Sequence, residues 1–417
     1  MILMPPSDGR SAKQPLLPVA EALARITAPL TAGSSETIPL NDAIGRVLAN
    51  DLISQLDLPP EPVSSMDGYG VRSSDGVSIG TKLTRIGESA AGHPFVKPVN
   101  SGETVRIFTG AIVPPDVDSI ILQEDVDAEA EADGAIITIN ETAIKGKFIR
   151  PAGLDTIKGA VVAEAGTKIN ARVMALALAT RHTSVPVYKK PRIGVLSTGD
   201  ELVLPGEAPA LGQVISSNAA YLTTFIAACG GEPVDLGIAA DRPGALLEAV
   251  RATTIKLDMI VTTGGASVGV HDHIAGDLAQ NIDFWKIAMR PGKPLISGAI
   301  DDVPLIGLPG NPVSSAVCAL VFLRPAIAKL SGRHIAPEPI QGELDCDLPA
   351  NDQRQDYLRV RLTYRDEDVP LISSAPKQDS SMISVLANAD ALAIRPPFDP
   401  ARMAGDPLSL LLFPDGL

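Results

Sequence analysis

From residue 169 onward, short continuous apolar runs alternate with longer segments in which apolar residues recur at helical spacing. The short runs are typical of strands that are buried on both faces of a sheet, and glycine or proline bounds several of the longer segments. Strands that alternate with helices predict an α/β domain with a mostly parallel sheet, which we assign to residues 169–334. The predicted strands are RIGVLSTGDEL (192–202), PVDLGIAAD (233–241), DMIVTTGG (258–265) and VPLIGLPGNP (303–312).

The rest of the chain is mostly short β-prone runs. Residues 60–145 contain TVRIFTG, SIILQEDV and AIITIN, separated by glycine and proline, and predict an all-β insertion. Residues from about 335 onward return to the same pattern and predict a small C-terminal β domain. An amphipathic helix is predicted at residues 14–30. The predicted fold class is therefore multidomain α/β plus β.

Length and charge narrow the classes of protein that fit. A chain of 417 residues exceeds what one hydrophobic core usually organises, so we expect two to four domains. The net charge of −14 and the lack of a basic stripe argue against a nucleic-acid partner. The apolar runs are too short to span a bilayer, no export signal is visible, and three dispersed cysteines fit reduced thiols. We expect a cytoplasmic protein with no membrane partner.

Four predicted strands end in glycine, a carboxylate, or both. The carboxyl ends of parallel strands meet at one edge of a sheet, where ligands bind in folds of this kind. A single glycine turn after a strand is usually only a turn, but four on one edge favour a binding site. The four strand ends are STGDE (197–201), AAD (239–241), TTGGASVG (262–269) and GLPGNP (307–312).

The stretch TTGGASVG matches neither common nucleotide-binding motif. It contains no G-x-G-x-x-G, and the chain contains no G-x-x-x-x-G-K-[ST]. Its exposed N–H groups and a serine hydroxyl can form a nest for an oxyanion, although a tight strand-to-helix connection fits it about as well. The residues predicted to bind a substrate at these strand ends are Ser197, Thr198, Gly199, Asp200, Gly264, Gly265, Ser267 and Gly269.

Acidic and basic side chains follow the same strands. Asp200, Glu201, Asp241 and Asp272 supply the hard oxygen ligands that suit Mg²⁺ on phosphate oxygens, although helix caps and surface acids would explain any one of them. His271 and His273 flank Asp272 but have no third nitrogen or sulfur ligand nearby, which favours solvated loop histidines. The segment WKIAMRPGKP could gather cations for an anion pocket, or be a surface loop. Its cations are Lys286, Arg290 and Lys293.

Taken together, these segments resemble the molybdopterin molybdenumtransferases, the MoeA/gephyrin E-domain family. The resemblance covers nearly the whole chain, and MDGY followed by FTGA is its most specific part. The matching segments are SSMDGYGVR (64–72), RIFTGAIVPPDVDSIILQE (106–124), LSTGDEL (196–202), TTGGASVGVHD (262–272), MRPGKP (289–294) and LPGNPVSS (308–315).

The resemblance implies a homodimer with a shared active site. It implies four domains per chain, with an N-terminal linking domain at residues 14–59 and 146–168 beside the insertion, a molybdopterin-binding α/β domain, and a C-terminal β domain at 335–417. The implied reaction inserts molybdate into adenylylated molybdopterin with Mg²⁺-dependent release of AMP. The implied catalytic residues are Asp67, Thr109, Glu201, Asp241, Asp272, Lys286 and Lys293. The implied substrate-binding residues are Arg150, Asp155, Arg290, Pro309 and Pro312, and the candidate Mg²⁺ ligands are Asp241 and Asp272.

The chain departs from the family pattern at three places. Arg290 stands where the family often has lysine, which replaces a point charge by a planar fork. Leu154 stands where the family commonly has glutamate. The segment KQDSSMIS (377–384) matches the family's Gly- and Ser-rich segment only loosely, which leaves the roles of Gln378 and Ser381 open.

Two other functions remain open at this level. One is a molybdopterin adenylyltransferase that uses the same α/β domain, which would leave residues 60–145 unexplained. The other is a non-enzymatic scaffold or carrier for the cofactor. A separate molybdopterin adenylyltransferase is also a possible partner, because it would supply the adenylylated substrate.

Overall fold

The computed structural model describes residues 16–264, 277, 281–333, 339–364 and 369–414. The chain divides into two compact units, one formed by Thr37–Val187 and the other by Met1–Glu36 with Tyr188–Leu417. The helices in the described part of the chain are α1 (Val19–Thr27), α2 (Ala171–Ala179), α3 (Ser217–Ala228), α4 (Ala245–Ala252), α5 (Pro312–Cys318), α6 (Arg324–Leu330) and α7 (Ile383–Ala387). Short 3₁₀ turns lie at Leu40–Asp42, Ser73–Asp75 and Gln123–Asp125.

A six-stranded sheet forms most of the unit of residues 37–187. Its strand order is β7-β4-β6-β5-β9-β8, with only the β5–β6 pair parallel. Buried side chains form two clusters, one around Tyr69 and Ile137 and one around Val105 and Ile107. The strands up to residue 188 are β1 (Ser35–Pro39), β2 (Leu52–Ile53), β3 (Val63–Ser64), β4 (Gly68–Val71), β5 (Lys82–Ser89), β6 (Glu103–Ile107), β7 (Ser119–Leu122), β8 (Val126–Ala128), β9 (Ile136–Ile139), β10 (Ile149–Arg150), β11 (Val161–Ala163) and β12 (Ser184–Tyr188).

Helix α2 belongs to this same unit. The side chain of Asn170 caps it by accepting hydrogen bonds from the amides of Arg172 and Val173, both at 3.0 Å. Its Ala177 packs in a cluster with residues on both sides of the insertion, such as Leu48. The sequence places this helix at the beginning of the α/β domain, whereas the structure groups it with residues 37–187. The four-domain division stays a prediction.

The other unit contains the α/β sheet that the sequence predicts. Strands β16, β13, β17 and β21 are adjacent and parallel, and β20 and β18 extend the sheet in antiparallel pairing. The remaining strands of this unit are β13 (Arg192–Thr198), β14 (Leu202–Val203), β15 (Val214–Ile215), β16 (Glu232–Ala239), β17 (Met259–Thr263), β18 (Ile282–Trp285), β19 (Met289–Arg290), β20 (Ile296–Ile300), β21 (Val303–Leu308), β22 (Ile340–Leu344), β23 (Gln355–Thr363), β24 (Leu371–Ser374), β25 (Ala391–Arg395) and β26 (Pro407–Leu412).

One helix is apolar over most of its surface and runs through the core of this unit. A π-turn at Ala319–Leu323 joins α5 to α6, so that the helix is continuous from Pro312 to Leu330. By length and composition alone it could cross a membrane, but 83% of the apolar window is buried inside the protein. A helix that is apolar all round is the usual form of a core helix, and this one packs on the sheet and on α1.

The C-terminal strands close into a barrel. Strand β23 pairs with β24 and with β25, and the order β23-β24-β22-β26-β25 returns to β23. The buried residues inside include Leu344, Val360 and Leu410. Strand β19 joins this sheet by parallel pairing with β23. The predicted multidomain α/β plus β class is confirmed.

Candidate functional site

A cavity of about 770 Å³ lies at the carboxyl ends of β13, β17 and β21. Three of the four predicted strand ends contribute to its wall. Among the residues that the sequence predicts, it brings together Ser197, Thr198, Glu201, Gly264, Pro309 and Pro312.

Glycine is required where the strand ends meet. Gly264 has a φ of +96°, and a Cβ built on it would lie 2.3 Å from the backbone oxygen of Thr198. A Cβ built on Gly310 would lie 3.4 Å from the Cα of Gly264. The backbones at the ends of the three strands therefore lie in direct contact. Position 264 requires glycine for two reasons, since a Cβ would clash with the neighbouring backbone and the φ is positive.

Asn218 connects two of these turns. Its carboxamide nitrogen donates to Thr263 Oγ1 and to the carbonyl oxygen of Gly310, both at 2.8 Å. The Gly310 carbonyl can only accept, which fixes the orientation of the amide. Sequence analysis missed this residue. The available signal was the polar run Ser216–Ser217–Asn218 directly before the apolar part of α3.

A threonine hydroxyl at the cavity has no partner among the described residues. Thr198 is 6% exposed, and its Oγ1 is buried without a hydrogen bond in that part of the chain. Ser197 is fully buried, and its Oγ lies 3.2 Å from Ser216 Oγ. A buried hydroxyl without a partner is costly, and a ligand hydrogen bond to Thr198 would remove that cost.

The C-terminal domain contributes a second wall. Ser381 and Ile383 line the cavity, and Ser380 receives a hydrogen bond from the Asn311 side chain at 2.9 Å. The Val313 amide also donates to the Ser380 carbonyl oxygen at 3.2 Å. Gln378 lies apart from the cavity lining and hydrogen-bonds the main chain of Arg359. Of the two residues in segment 377–384 whose roles were open, Ser381 therefore lines the cavity, whereas Gln378 stabilises the fold.

The strand-end carboxylates are partly brought together. Asp200 Oδ1 accepts the backbone N–H of Asp241 at 2.9 Å, so these two residues are neighbours beside the cavity residue Glu201. No cluster of three metal-ligating side chains occurs within the described ranges. Four predicted site residues lie outside the described residues, namely Gly265, Ser267, Gly269 and Asp272, and so do the two histidines predicted to be solvated, His271 and His273.

The three predicted cations have different surroundings. Lys286 Nζ lies 4.9 Å from the ring centre of Trp285, and Lys293 is exposed next to the cavity residue Pro294. Neither lysine has a carboxylate partner in the part of the chain that the structure describes. Arg290 instead forms ion pairs with Asp352 and Asp356.

In the unit of residues 37–187, the predicted pair Asp67 and Thr109 is in direct contact. Asp67 Oδ1 accepts the backbone N–H of Thr109 at 2.7 Å and its hydroxyl at 2.8 Å. The backbone hydrogen bond from Thr109, followed by the hydroxyl bond, lowers the pKa of Asp67 below its ordinary value. Arg106 adds an attraction and lies 5.0 Å from the ring centres of both Tyr69 and Phe108.

Arg150 and Asp155 are exposed in the same unit. Arg150 ends the short strand β10, whose register opposite β3 pairs it with Val63. The Asp155 amide donates to the carbonyl oxygen of Leu58 at 2.9 Å, and the residue is exposed. The structure does not bring these two side chains into contact with Asp67.

Comparison with known families accounts for most of the chain. Residues 17–180 match the MoeA N-terminal region, domains I and II. Residues 194–329 match a family described as a probable molybdopterin-binding domain, and residues 341–413 match the MoeA C-terminal region, domain IV. The α/β unit with its strand-end cavity is thus of the molybdopterin-binding class.

Individual proteins are similar over most of their length. The molybdopterin molybdenumtransferase of Haemophilus influenzae is 37% identical over 72% of this chain and 74% of that protein. The enzyme of the same name from Bacillus subtilis is 30% identical over 92% and 91%. The crystal structure of the molybdopterin biosynthesis MoeA protein from Pyrococcus horikoshii superimposes with a TM-score of 0.83 at 26% identity, covering 96% of this chain and 100% of that one.

The chain belongs to the molybdopterin molybdenumtransferase family. The prediction of a transferase that acts in molybdenum cofactor biosynthesis is confirmed.

Proposed function

We propose that this protein inserts molybdenum from molybdate into adenylylated molybdopterin and releases AMP. The observation that carries the proposal is the cavity where β13, β17 and β21 end, which combines glycine turns, hydroxyls and a carboxamide with a wall from the C-terminal domain. A ligand with a pterin, phosphates and a ribose needs many hydrogen-bond partners of this kind. A volume of about 770 Å³ is within the range of cofactor sites.

The polar groups of the cavity suit the pterin nucleotide. Thr198 Oγ1 and the side-chain oxygen Oδ1 of Asn218 have no hydrogen-bond partner among the described residues, so both are available to a ligand. We assign the main-chain N–H groups of the proposed oxyanion nest to Gly264, which the structure describes, and to Gly265, Ser267 and Gly269, which lie outside the described residues. Pro309 and Pro312 border the glycine turn at Gly310 and limit its movement.

Lys286 and Lys293 supply positive charge in a segment that contains the cavity residue Pro294. With a net charge of −14, the protein as a whole repels molybdate and phosphates. Lys286 and Lys293 lie on one segment, and neither has a carboxylate partner within the described residues. We assign them to the incoming oxyanion and to the phosphates, where charge-assisted hydrogen bonds are strongest.

The acidic residues fit a magnesium ion. Asp200 and Asp241 are neighbours at the strand ends, and carboxylate oxygens are the ligands that Mg²⁺ prefers. We propose Asp241 and Asp272 as its ligands, with Glu201 orienting the pterin nucleotide. A bound Mg²⁺ would neutralise charge on the phosphate that leaves with AMP. The protein groups position the reactants, since ligand exchange at molybdenum needs no protein nucleophile.

We further propose that the active site is shared between two subunits of a homodimer. Asp67, Thr109, Arg150 and Asp155 would then come from the partner copy. The hydrogen bonds from Thr109 that keep Asp67 ionised support a role for it in orienting cationic or N–H groups of the ligand. The protein would act in the cytoplasm and receive its substrate from a molybdopterin adenylyltransferase.

The test is incubation of the purified protein with adenylylated molybdopterin, Mg²⁺ and molybdate, with AMP measured over time. AMP that forms only when molybdate is present supports the proposal. Consumption of ATP without a need for molybdate would identify an adenylyltransferase instead. Tight binding of the cofactor without AMP release would identify a carrier.

A further inference from the structure

Arg290 directs its guanidinium to acidic and amide side chains of the C-terminal domain. Its Nη2 donates to Asp356 Oδ2 and, at 3.3 Å, to Asn351 Oδ1, while Nη1 lies 3.5 Å from Asp352. Arg290 is absent from the lining that the described residues give the cavity. Its guanidinium pairs with the buried Asp356 and, at 3.5 Å, with Asp352, which also pairs with Arg354, so the charge of Arg290 is engaged chiefly by Asp356.

Asp356 needs this partner. It is 5% exposed, and a buried carboxylate is stable only when it is paired and hydrogen-bonded. The hydrogen bond with Asp356 also raises the pKa of Arg290 above its ordinary value. We call Arg290, Asp352 and Asp356 the Arg290 ion-pair cluster.

The backbone fixes the same segment from two sides. Strand β19 pairs in parallel with β23, with Arg290 opposite Asp356, and the Gln355 amide donates to the Ala288 carbonyl oxygen at 2.9 Å. On the other side, Gly292 lies against the core helix, since a Cβ on it would come within 2.5 Å of Cys318 Sγ. Residues 289–292 therefore have little room to move.

The two lysines lie at the ends of this fixed segment. The Ile287 amide donates to the Lys293 carbonyl oxygen at 3.0 Å, and the Lys286 amide donates to the Leu295 carbonyl oxygen at 3.3 Å. These bonds close a loop over residues 286–295 and hold its two ends together. Pro294, next to Lys293, lines the cavity.

We propose that Asp356 is a positioning residue, which acts through Arg290 to hold Lys293 and Pro294 at the cavity. The role concerns the reaction under "Proposed function" and rests on it. The cluster also gives a reason for arginine at position 290, because a planar fork reaches Asp352 and Asp356 at once, whereas an ammonium group does not. In this proposal Lys286 and Lys293 bind the oxyanion, and Arg290 holds the loop that carries them.

A double-mutant cycle tests this role. The variants are Arg290→Ala, Asp356→Asn and the double variant, with Asn chosen because it preserves the shape of the buried side chain. We expect each single variant to raise the KM for molybdate by about tenfold, and the double variant to do no worse than either single one. Backbone amide hydrogen exchange over residues 286–295 should accelerate in all three variants by a similar factor.

The control is the ion pair of Arg251 and Asp301 in the same unit, which is bidentate, with two hydrogen bonds of 2.9 Å. Replacing either by alanine should leave both readouts as in the wild type. A wild-type KM in Asp356→Asn together with a raised KM in Arg290→Ala would show that Arg290 contacts the ligand directly, and would overturn the inference. Unchanged exchange over residues 286–295 in Asp356→Asn would also overturn it.

AMP release by the wild type, read together with the double-mutant cycle, separates this inference from the proposed function. A wild-type protein that releases no AMP with molybdate would overturn the function and the positioning role with it. If the wild-type protein releases AMP with molybdate but the effects of the two substitutions on the KM are additive, the proposed function holds and only the role of Asp356 is overturned.

Discussion

The carboxamide of Asn218 donates to Thr263 Oγ1 at 2.8 Å and thereby ties the first turn of α3 to the end of β17. The same nitrogen reaches the Gly310 carbonyl oxygen after β21. One side chain thus fixes two of the turns that form the cavity and leaves its own carbonyl oxygen for a ligand.

Asn218→Ala is expected to lower kcat/KM for adenylylated molybdopterin. Two hydrogen bonds that hold the turns are lost, each worth about 0.5–1.5 kcal/mol, and their sum of about 1–3 kcal/mol corresponds to roughly a fivefold to hundredfold decrease in kcat/KM. Steady-state AMP release measures it. Asn140→Ala serves as control, because Asn140 is exposed and its side chain bonds only Asp127 among the described residues. Equal rate constants for the two variants would remove Asn218 from the site.

Gly264→Ala is expected to destabilise the protein and to block ligand binding. The added Cβ would meet the Thr198 backbone oxygen at 2.3 Å, and backbone cannot move aside as a flexible side chain can. We expect a loss of about 2–4 kcal/mol in the free energy of unfolding. Denaturant titration measures it.

The control for Gly264→Ala distinguishes the cost of the steric clash with Thr198 from the cost of a positive φ. Gly206 has nearly the same φ, +97°, but nothing lies within 4 Å of a Cβ built there. Gly206→Ala should therefore show only the smaller cost of the positive φ. If the two alanine variants are equally stable, the close approach at Gly264 has no energetic importance.

Thr109→Val is expected to raise the pKa of Asp67 toward its ordinary value without restoring it fully. The variant removes the hydroxyl bond but keeps the backbone bond, which is the larger cause of the lowered pKa. Carboxyl titration by NMR measures the shift. Thr109→Ser keeps the hydroxyl and should titrate like the wild type, and a Val variant that does so as well would contradict the role of this bond.

Asp399→Ala is expected to unfold the C-terminal barrel at milder conditions. Asp399 is 5% exposed and accepts hydrogen bonds from Arg395 at 2.9 Å and Arg402 at 2.6 Å. Its removal leaves the buried Arg395 without a countercharge, at a cost of about 3–5 kcal/mol. Thermal unfolding measures this, with Asp301→Ala at an exposed ion pair as the control.

The carboxylate of Asp399 also makes the free energy of unfolding depend on pH. Hydrogen bonds from Arg402, the largest cause, and from Arg395 lower the pKa of Asp399 below its ordinary value, and the opposing effect of burial is smaller than their sum. A lowered pKa in the folded state means that the contribution is present above the unfolded value of about 3.9 and is lost as the pH falls through the folded value. Asp399→Asn should therefore flatten the acid limb of the stability curve. An unchanged acid limb would contradict this assignment.

Much of the fold could be predicted from local pattern. Continuous apolar runs identified β13, β17 and β21, and glycine after each identified the edge of the sheet where the cavity lies. The roles of Asp67 and Thr109 followed only from a family resemblance, and their contact was not predicted, since they are 42 positions apart and no periodicity relates them.

Other features depend on tertiary contacts that no local pattern carries. The bonds of Asn218 run to residues 45 and 92 positions away, so its role could not be read from α3 alone. Arg290 was assigned to the substrate by its neighbours in sequence, whereas its ion pairs come from residues 352 and 356 through strand pairing.

The central claim is that this protein couples uptake of molybdenum to cleavage of the adenylylated pterin. The most direct measurement compares the molybdenum incorporated into the pterin product, by elemental analysis, with the AMP released in the same reaction. The account predicts equal molar amounts, with neither formed when molybdate is left out. AMP released at the same rate without molybdate, or molybdenum incorporated without AMP, would contradict it.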